Sequence, residues 1–227
     1  MGRCSDARER LIEAAAELFR ADGYHSASVE AMCRKAGVQK GSFYHFFESK
    51  CDLAGAALDY AWAQQEARLR RDFASAVPPV ERLIRHFDAV YREQLALRAR
   101  HGRTLGCPFY RLGTECSGVY PEIAARIETI IAAYRGYFER ALRAAGGGKP
   151  GLNGDPLRLA HWLFALYQGL LEEARICDDP EILRQLPAAV ARLLGGGRVE
   201  SAAALPLRRG DDEEVVAGGG PVASVVD

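Results

Sequence analysis

Apolar residues recur along most of the chain at intervals of three and four, the spacing of one helix face, and no stretch alternates over a strand length. Leu11, Ala14, Ala15, Leu18 and Phe19 form the first such face, with Ser5 expected as its N-cap and Gly23 as its stop. Ser28 is placed to cap a short second helix, Val29–Lys35; Gly37 sits in the turn, and a third short helix is expected over Lys40–His45. Ser49, followed three residues later by Asp52, is a capping-box variant that opens a long helix towards Phe73. After the break at Pro78-Pro79, the pattern predicts a helix over Pro79–Arg100, a shorter one near Cys107–Cys116 and another over Pro121–Ala145. Asp155-Pro156 and Asp179-Pro180 each place a capping carboxylate before an N1 proline, predicting helices that run towards Ile176 and Leu194. From Gly195 onward Gly, Ala and Val dominate, an acidic run spans Asp211–Glu214, and no helical face is left; this tail is expected to be disordered.

The pattern therefore predicts an all-α protein of about nine helices. Residues 1–48 would form a three-helix N-terminal domain, 49–195 a C-terminal helical bundle and 196–227 the tail. A chain of 227 residues is long enough for this arrangement and for a sizeable core.

Charge changes the picture in one respect. Thirty basic and thirty acidic residues cancel, so the chain as a whole does not announce a polyanion partner. Locally it does better. Only Lys35, Lys40, Lys50 and Lys149 are lysines, and three of them fall close together across the boundary between the predicted N-terminal domain and the bundle. No apolar run approaches the ~20 residues of a membrane span, and no apolar signal region follows Met1, so a cytoplasmic protein away from membranes is expected. Cys4, Cys33, Cys51, Cys107, Cys116 and Cys177 include no Cys-x-x-Cys pair, so neither a metal nor any other cofactor is expected and the thiols should be free.

The most specific segment runs from Ser28 to Lys50. Two short helices flank a tight turn at Gly37; Cys33 and Ala36 are small where helices must approach, and Val29, Met32, Val38, Phe43 and Phe46 are spaced to pack on the first helix. That is the pattern of a helix-turn-helix whose second helix enters the major groove. Ala36-Gly37-Val38, Gln39-Lys40-Gly41-Ser42, the aromatic run Phe43 to Phe47, Ser49-Lys50 and Leu53 together resemble the TetR/AcrR (tetracycline-repressor-like) family over about residues 5–60. Cys51 stands where that family usually has an acidic residue and Cys33 where it usually has alanine; both are small enough for the fold. The resemblance implies that Gln39, Lys40, Gly41, Ser42 and His45 face the groove, Gln39 and Ser42 reading base edges and Gly41 allowing close backbone approach. It implies phosphate contacts from Tyr44 and Lys50, and a backbone phosphate contact at Ser28.

The same resemblance implies a homodimer on operator DNA and a small-molecule effector enclosed by the C-terminal helices. In the stretch Asp155 to Ile176, Leu157, Leu159, Trp162, Leu163, Phe164, Leu166, Tyr167, Leu170 and Leu171 put apolar groups almost all round, so one face can pack within the subunit and the other against a partner. Expected pocket walls are Trp62, Phe87, Tyr91, Phe109, Tyr110, Tyr134, Phe138, His161 and Trp162, with His161 and Gln168 as polar handles for a flat, moderately apolar ligand. Plain hydrophobic core is the competing reading for these aromatics. Gly106-Cys107-Pro108 resembles a segment found in part of the family, which makes Cys107 a candidate pocket residue and, alternatively, an electrophile or redox trigger; simple packing of a small thiol competes with both.

An enzyme is not expected. No metal-ligand cluster, phosphate loop or nucleophile–base pair is visible, and His86, His101 and His161 are isolated in sequence. A helical interaction module without DNA binding is disfavoured by the Gln39–His45 pattern.

Overall fold

The computed structural model describes residues 2–74, 76–146 and 155–194, and these are helical throughout apart from turns. The order is α1 (Gly2–Asp22), α2 (Val29–Ala36), α3 (Lys40–Phe46), α4 (Lys50–Asp72), α5 (Pro79–His101), α6 (Pro108–Cys116), α7 (Pro121–Ala144), α8 (Pro156–Ile176), a 3-10 segment (Pro180–Gln185) and α9 (Leu186–Leu193). The tail predicted to be disordered lies outside the described residues.

Capping chemistry sets most boundaries. Ser28 accepts the Ala31 N–H and opens α2; Gly37, at φ 63°, closes it in the left-handed conformation that suits glycine. Ser49 accepts the Asp52 N–H at 3.0 Å, while Asp52 Oδ2 accepts the Glu48 N–H at 3.3 Å, so the capping box forms one residue out of its ideal register. Asp155 and Asp179 both accept N–H groups two residues on, next to N1 prolines.

Two expectations fail. The first helix begins at Gly2, so Ser5 lies inside it rather than capping it; no proline blocks the segment, and extending a formed helix costs little. The last predicted helix is broken in two. Pro187 has no N–H to give Leu183, so the chain turns as a 3-10 segment and restarts as α9 with proline in its first turn, Leu186 staying right-handed helical.

Helices α1–α3 pack around Leu11, Ala15, Phe19, Met32, Cys33, Phe43 and Phe47, all buried. The long α4 runs from this cluster into the bundle, burying Leu53, Ala54, Ala57 and Leu58 on the way and Leu69 near its far end. In the bundle, α5, α7 and α8 surround Phe87, Tyr134, Phe138, Phe164 and Tyr167. The short α6 lies between the two clusters and touches both α1 and α7.

Candidate nucleic-acid interface and effector core

Helix α3 buries one side and offers the other. Phe43 is wholly inaccessible and anchors the helix, with Phe47 2% exposed just beyond it. Burying one such ring contributes about 1.5–3 kcal/mol. Gln39, Lys40, Gly41, Ser42, Tyr44 and His45 are all exposed. Tyr44 keeps 59% of its surface in water, although its ring meets Phe43 edge-on. A Cβ added at Gly41 would meet no atom within 4 Å, so packing inside the subunit does not demand glycine there.

Three of the predicted phosphate and groove residues already have side-chain partners. Lys40 Nζ bonds the Glu30 carboxylate; this pairing holds the Lys40 ammonium above its ordinary range and the Glu30 carboxyl below its own. Lys50 Nζ lies 4.5 Å from the Tyr24 ring centroid, a cation–π contact, and burial pushes its pKa down. Ser28 Oγ is occupied by the Ala31 N–H at 3.1 Å, which leaves its backbone N–H as the group a phosphate would meet.

The junction between the clusters joins residues that no local sequence pattern connects. Glu115, in the last turn of α6, accepts the backbone N–H of Tyr24 at 2.6 Å and of His25 at 3.2 Å. Arg111 donates to the Ala21 carbonyl at 3.0 Å, and Arg103 bonds the Asp22 carboxylate at 2.7 Å. Helix α6 thus clamps the end of α1 and the turn that leads to α2, satisfying backbone groups that a helix end leaves open. A second link is Glu93 on α5, which takes Arg20 of α1 at 3.0 Å and Arg68 of α4 at 2.7 Å.

Inside the bundle the rings form one network. Trp62 meets Phe109 and Tyr134; Phe87 meets Phe138 and Tyr167; Tyr110 meets Phe164. Six of the predicted walls, Trp62, Phe87, Phe109, Tyr110, Tyr134 and Phe138, are therefore together. A polar relay runs through them. His86, 1% exposed, bonds Asp72 at 2.9 Å and the Tyr134 hydroxyl at 2.8 Å, and Tyr134 lies 3.3 Å from the Tyr167 hydroxyl. His86 is not isolated in space. Cys107, 5% exposed, sits at the N-cap of α6, where burial raises its thiol pKa against the opposing pull of the helix N–H groups.

Three predicted walls are corrected. His161 is exposed and pairs with Arg135 at 2.6 Å, and Trp162 is 59% exposed. At 100° per residue both fall on the side of α8 away from Leu163, Phe164 and Tyr167. Tyr91 stands outside the ring network; its hydroxyl donates to Glu181 at 2.7 Å and ties α5 to the 3-10 segment. Gln168, the other expected handle, is 3% exposed and does face the interior.

Among the described residues no three His, Cys, Asp or Glu side chains form a metal-sized cluster, and no helix is long and apolar enough to cross a membrane.

A small helix-turn-helix unit with its second helix exposed, joined through a long helix to a larger bundle with an aromatic core, is the architecture of a two-domain DNA-binding transcription regulator. Family comparison gives the particular kind. The model for bacterial regulatory proteins of the tetR family matches residues 11–57, and that for the tetracyclin repressor-like C-terminal domain matches residues 79–190. The chain belongs to the TetR family. It is 29% identical over 189 residues to the transcriptional regulator AcuR of Cereibacter sphaeroides, covering 82% of this chain and 84% of that one. It is 26% identical over 194 residues to the repressor NemR of Escherichia coli, covering 83% and 94%. Among solved structures, E. coli NemR in its reduced form superposes with TM-score 0.69 at 27% identity, covering 82% of this chain and 95% of that one. A TetR regulatory protein of Rhodobacter sphaeroides gives 0.71 at 27% identity, covering 82% and 98%. These relatives are DNA-binding regulators rather than enzymes.

Proposed function

We propose that this protein is a homodimeric repressor that leaves its operator when a small molecule enters the aromatic core. The observation that carries the reading is the exposed, unsupported face of α3, Gln39 to His45, held by a buried Phe43 and linked to the core through α4 and the α6 clamp. Gln39 and Ser42 read base edges; Tyr44 and Lys50 hold phosphates. One such unit reads few base pairs, which favours two copies on adjacent half-sites. The second copy docks on the outer stripe of α8, where Trp162, Leu166 and Ile176 remain exposed beside Gly169. Effector binding changes operator affinity to the extent that the effector prefers the conformation with the two α3 helices wrongly spaced. Selection of genomic fragments by the purified protein, followed by anisotropy titration, tests this. A dimer with nanomolar, salt-dependent affinity for a two-fold symmetric site is expected; a protein that retains no fragment contradicts the reading.

A second reading makes Cys107 the trigger, favoured by its position at the foot of the clamp helix α6 and by a relative, NemR, known in a reduced form. The buried, protonated thiol opposes it. Alkylation with a maleimide separates the two. Under the effector reading the exposed Cys177 reacts first and the operator stays bound; rapid Cys107 alkylation with operator release supports the thiol trigger.

A further inference from the structure

The face of α8 that looks on α6 carries polar atoms with little to bond. The amide of Gln168 is buried and faces only the Cys107 thiol, and Oε1 of Glu172, one turn further on, is buried and unbonded, although the other oxygen of that carboxylate takes Arg175 Nε at 2.9 Å. Positions 164, 168 and 172 share one helix face. Phe164 meets the Tyr110 ring at 6.2 Å, and Glu172 Oε1 lies 3.2 Å from where a Cβ on Gly106 would stand. Gln168, between them, therefore looks at the first turn of α6 and at Cys107. The backbone of Gly106 is not the missing partner, because Gln94 pairs with its N–H at 3.1 Å and its carbonyl at 3.3 Å. Native interiors seldom leave such groups unpaired, since each costs free energy that a partner would recover.

We propose that this face binds the polar head of the effector, and that the head is a neutral amide-type group with at least two N–H donors: a primary carboxamide or a urea. The proposal rests on the reading of the bundle as an effector-binding core. An amide offers an acceptor and a donor side by side, the complement of the Gln168 side chain. Its second N–H points to Glu172 Oε1. A carboxylate has no donor to give to Glu172 Oε1, the oxygen that the Arg175 pairing leaves uncovered. The flat remainder lies among Tyr110, Phe164 and Trp62.

The test is thermal and calorimetric titration of the full chain with benzamide, benzoate and toluene. Benzamide should bind at least about tenfold more tightly than either of the others. Gln168→Met should raise the melting temperature of the ligand-free protein, because two poorly bonded polar atoms go, while weakening benzamide about tenfold and leaving toluene unchanged. Glu172→Gln should narrow the gap between benzamide and benzoate. Benzamide no tighter than toluene, or undiminished on Gln168→Met, overturns the proposal and leaves the orphan atoms to buried water; benzoate binding more tightly than benzamide also overturns it. Operator affinity measured on the same samples separates the two readings. A chain that binds operator but ignores amides loses only this inference, whereas amide selectivity without operator binding removes the repressor.

Discussion

Glu115 receives the backbone N–H of Tyr24 at 2.6 Å, across 91 residues of sequence. The bond ties the turn between α1 and α2 to α6, the helix capped by Cys107, and so joins the reading head to the bundle. Gly23 is part of the fit. Its φ is 86°, and a Cβ there would stand 2.2 Å from Glu115 Oε1. Glu115→Ala should leave two backbone N–H groups without their charged acceptor and cost about 1.5–3 kcal/mol. Glu115→Gln, which keeps an acceptor oxygen, should cost less than half of that. Chemical denaturation measures both, and hydrogen exchange should quicken at Tyr24 and His25 before it does in α7.

The helices were legible because their punctuation is local. Ser28, Gly37, Ser49, Asp155-Pro156 and Asp179-Pro180 announce themselves within a turn, and the exposed α3 follows from residues that adjoin one another. The break at Pro187 was also in plain view, but the apolar stripe from Ile182 to Leu194 runs through it and hides it. The pocket walls divide by the same logic. Tyr134 and Phe138 lie on a helix with one apolar face, so their direction is readable. Helix α8 is apolar nearly all round and offers little phase to read, so the pattern alone does not turn His161 and Trp162 outward. Glu115 with Tyr24, and Asp72 with His86, are pairs that no periodicity connects.

Acid should loosen the second link between the clusters. Burial pushes the Glu93 carboxyl up, but Arg20 and Arg68 together outweigh it and leave the pKa below the ordinary value. A carboxyl whose folded pKa is depressed stabilises the fold above its unfolded pKa, about 4.3, and loses that contribution as pH falls through the folded value. Glu93→Gln should therefore be less stable than the parent by about 1–3 kcal/mol at pH 7. The two proteins should converge in melting temperature between roughly pH 4.5 and pH 3. A gap that stays constant with pH would show that Glu93 acts through packing rather than charge.

Lys50 has two possible tasks, and salt distinguishes them. If it holds a phosphate, Lys50→Ala lowers the slope of log affinity against log salt by about one and weakens all DNA sequences alike. If its work is the contact with the Tyr24 ring, the slope is unchanged and stability falls by about 0.5–1 kcal/mol instead. The phosphate role is expected, because Lys50 opens α4 four residues after the end of the exposed α3 and its ring contact still leaves it partly in water.

The outer face of α8 should decide the oligomeric state. Trp162 is 59% exposed, Leu166 36% and Ile176 74%, and Gly169 between them has no atom within 4 Å of a Cβ position. A bare tryptophan on a stripe with a central glycine gives a second helix both an anchor and room for close approach. Trp162→Glu puts a charge at that anchor. Light scattering should find the parent as a dimer and the variant as a monomer, and operator affinity should drop at least tenfold because two half-sites no longer bind together. Within the single chain the side chain touches little, so the variant's own fold should change by no more than about 0.5 kcal/mol. A variant that remains dimeric and keeps its operator affinity would place the subunit contact on another surface.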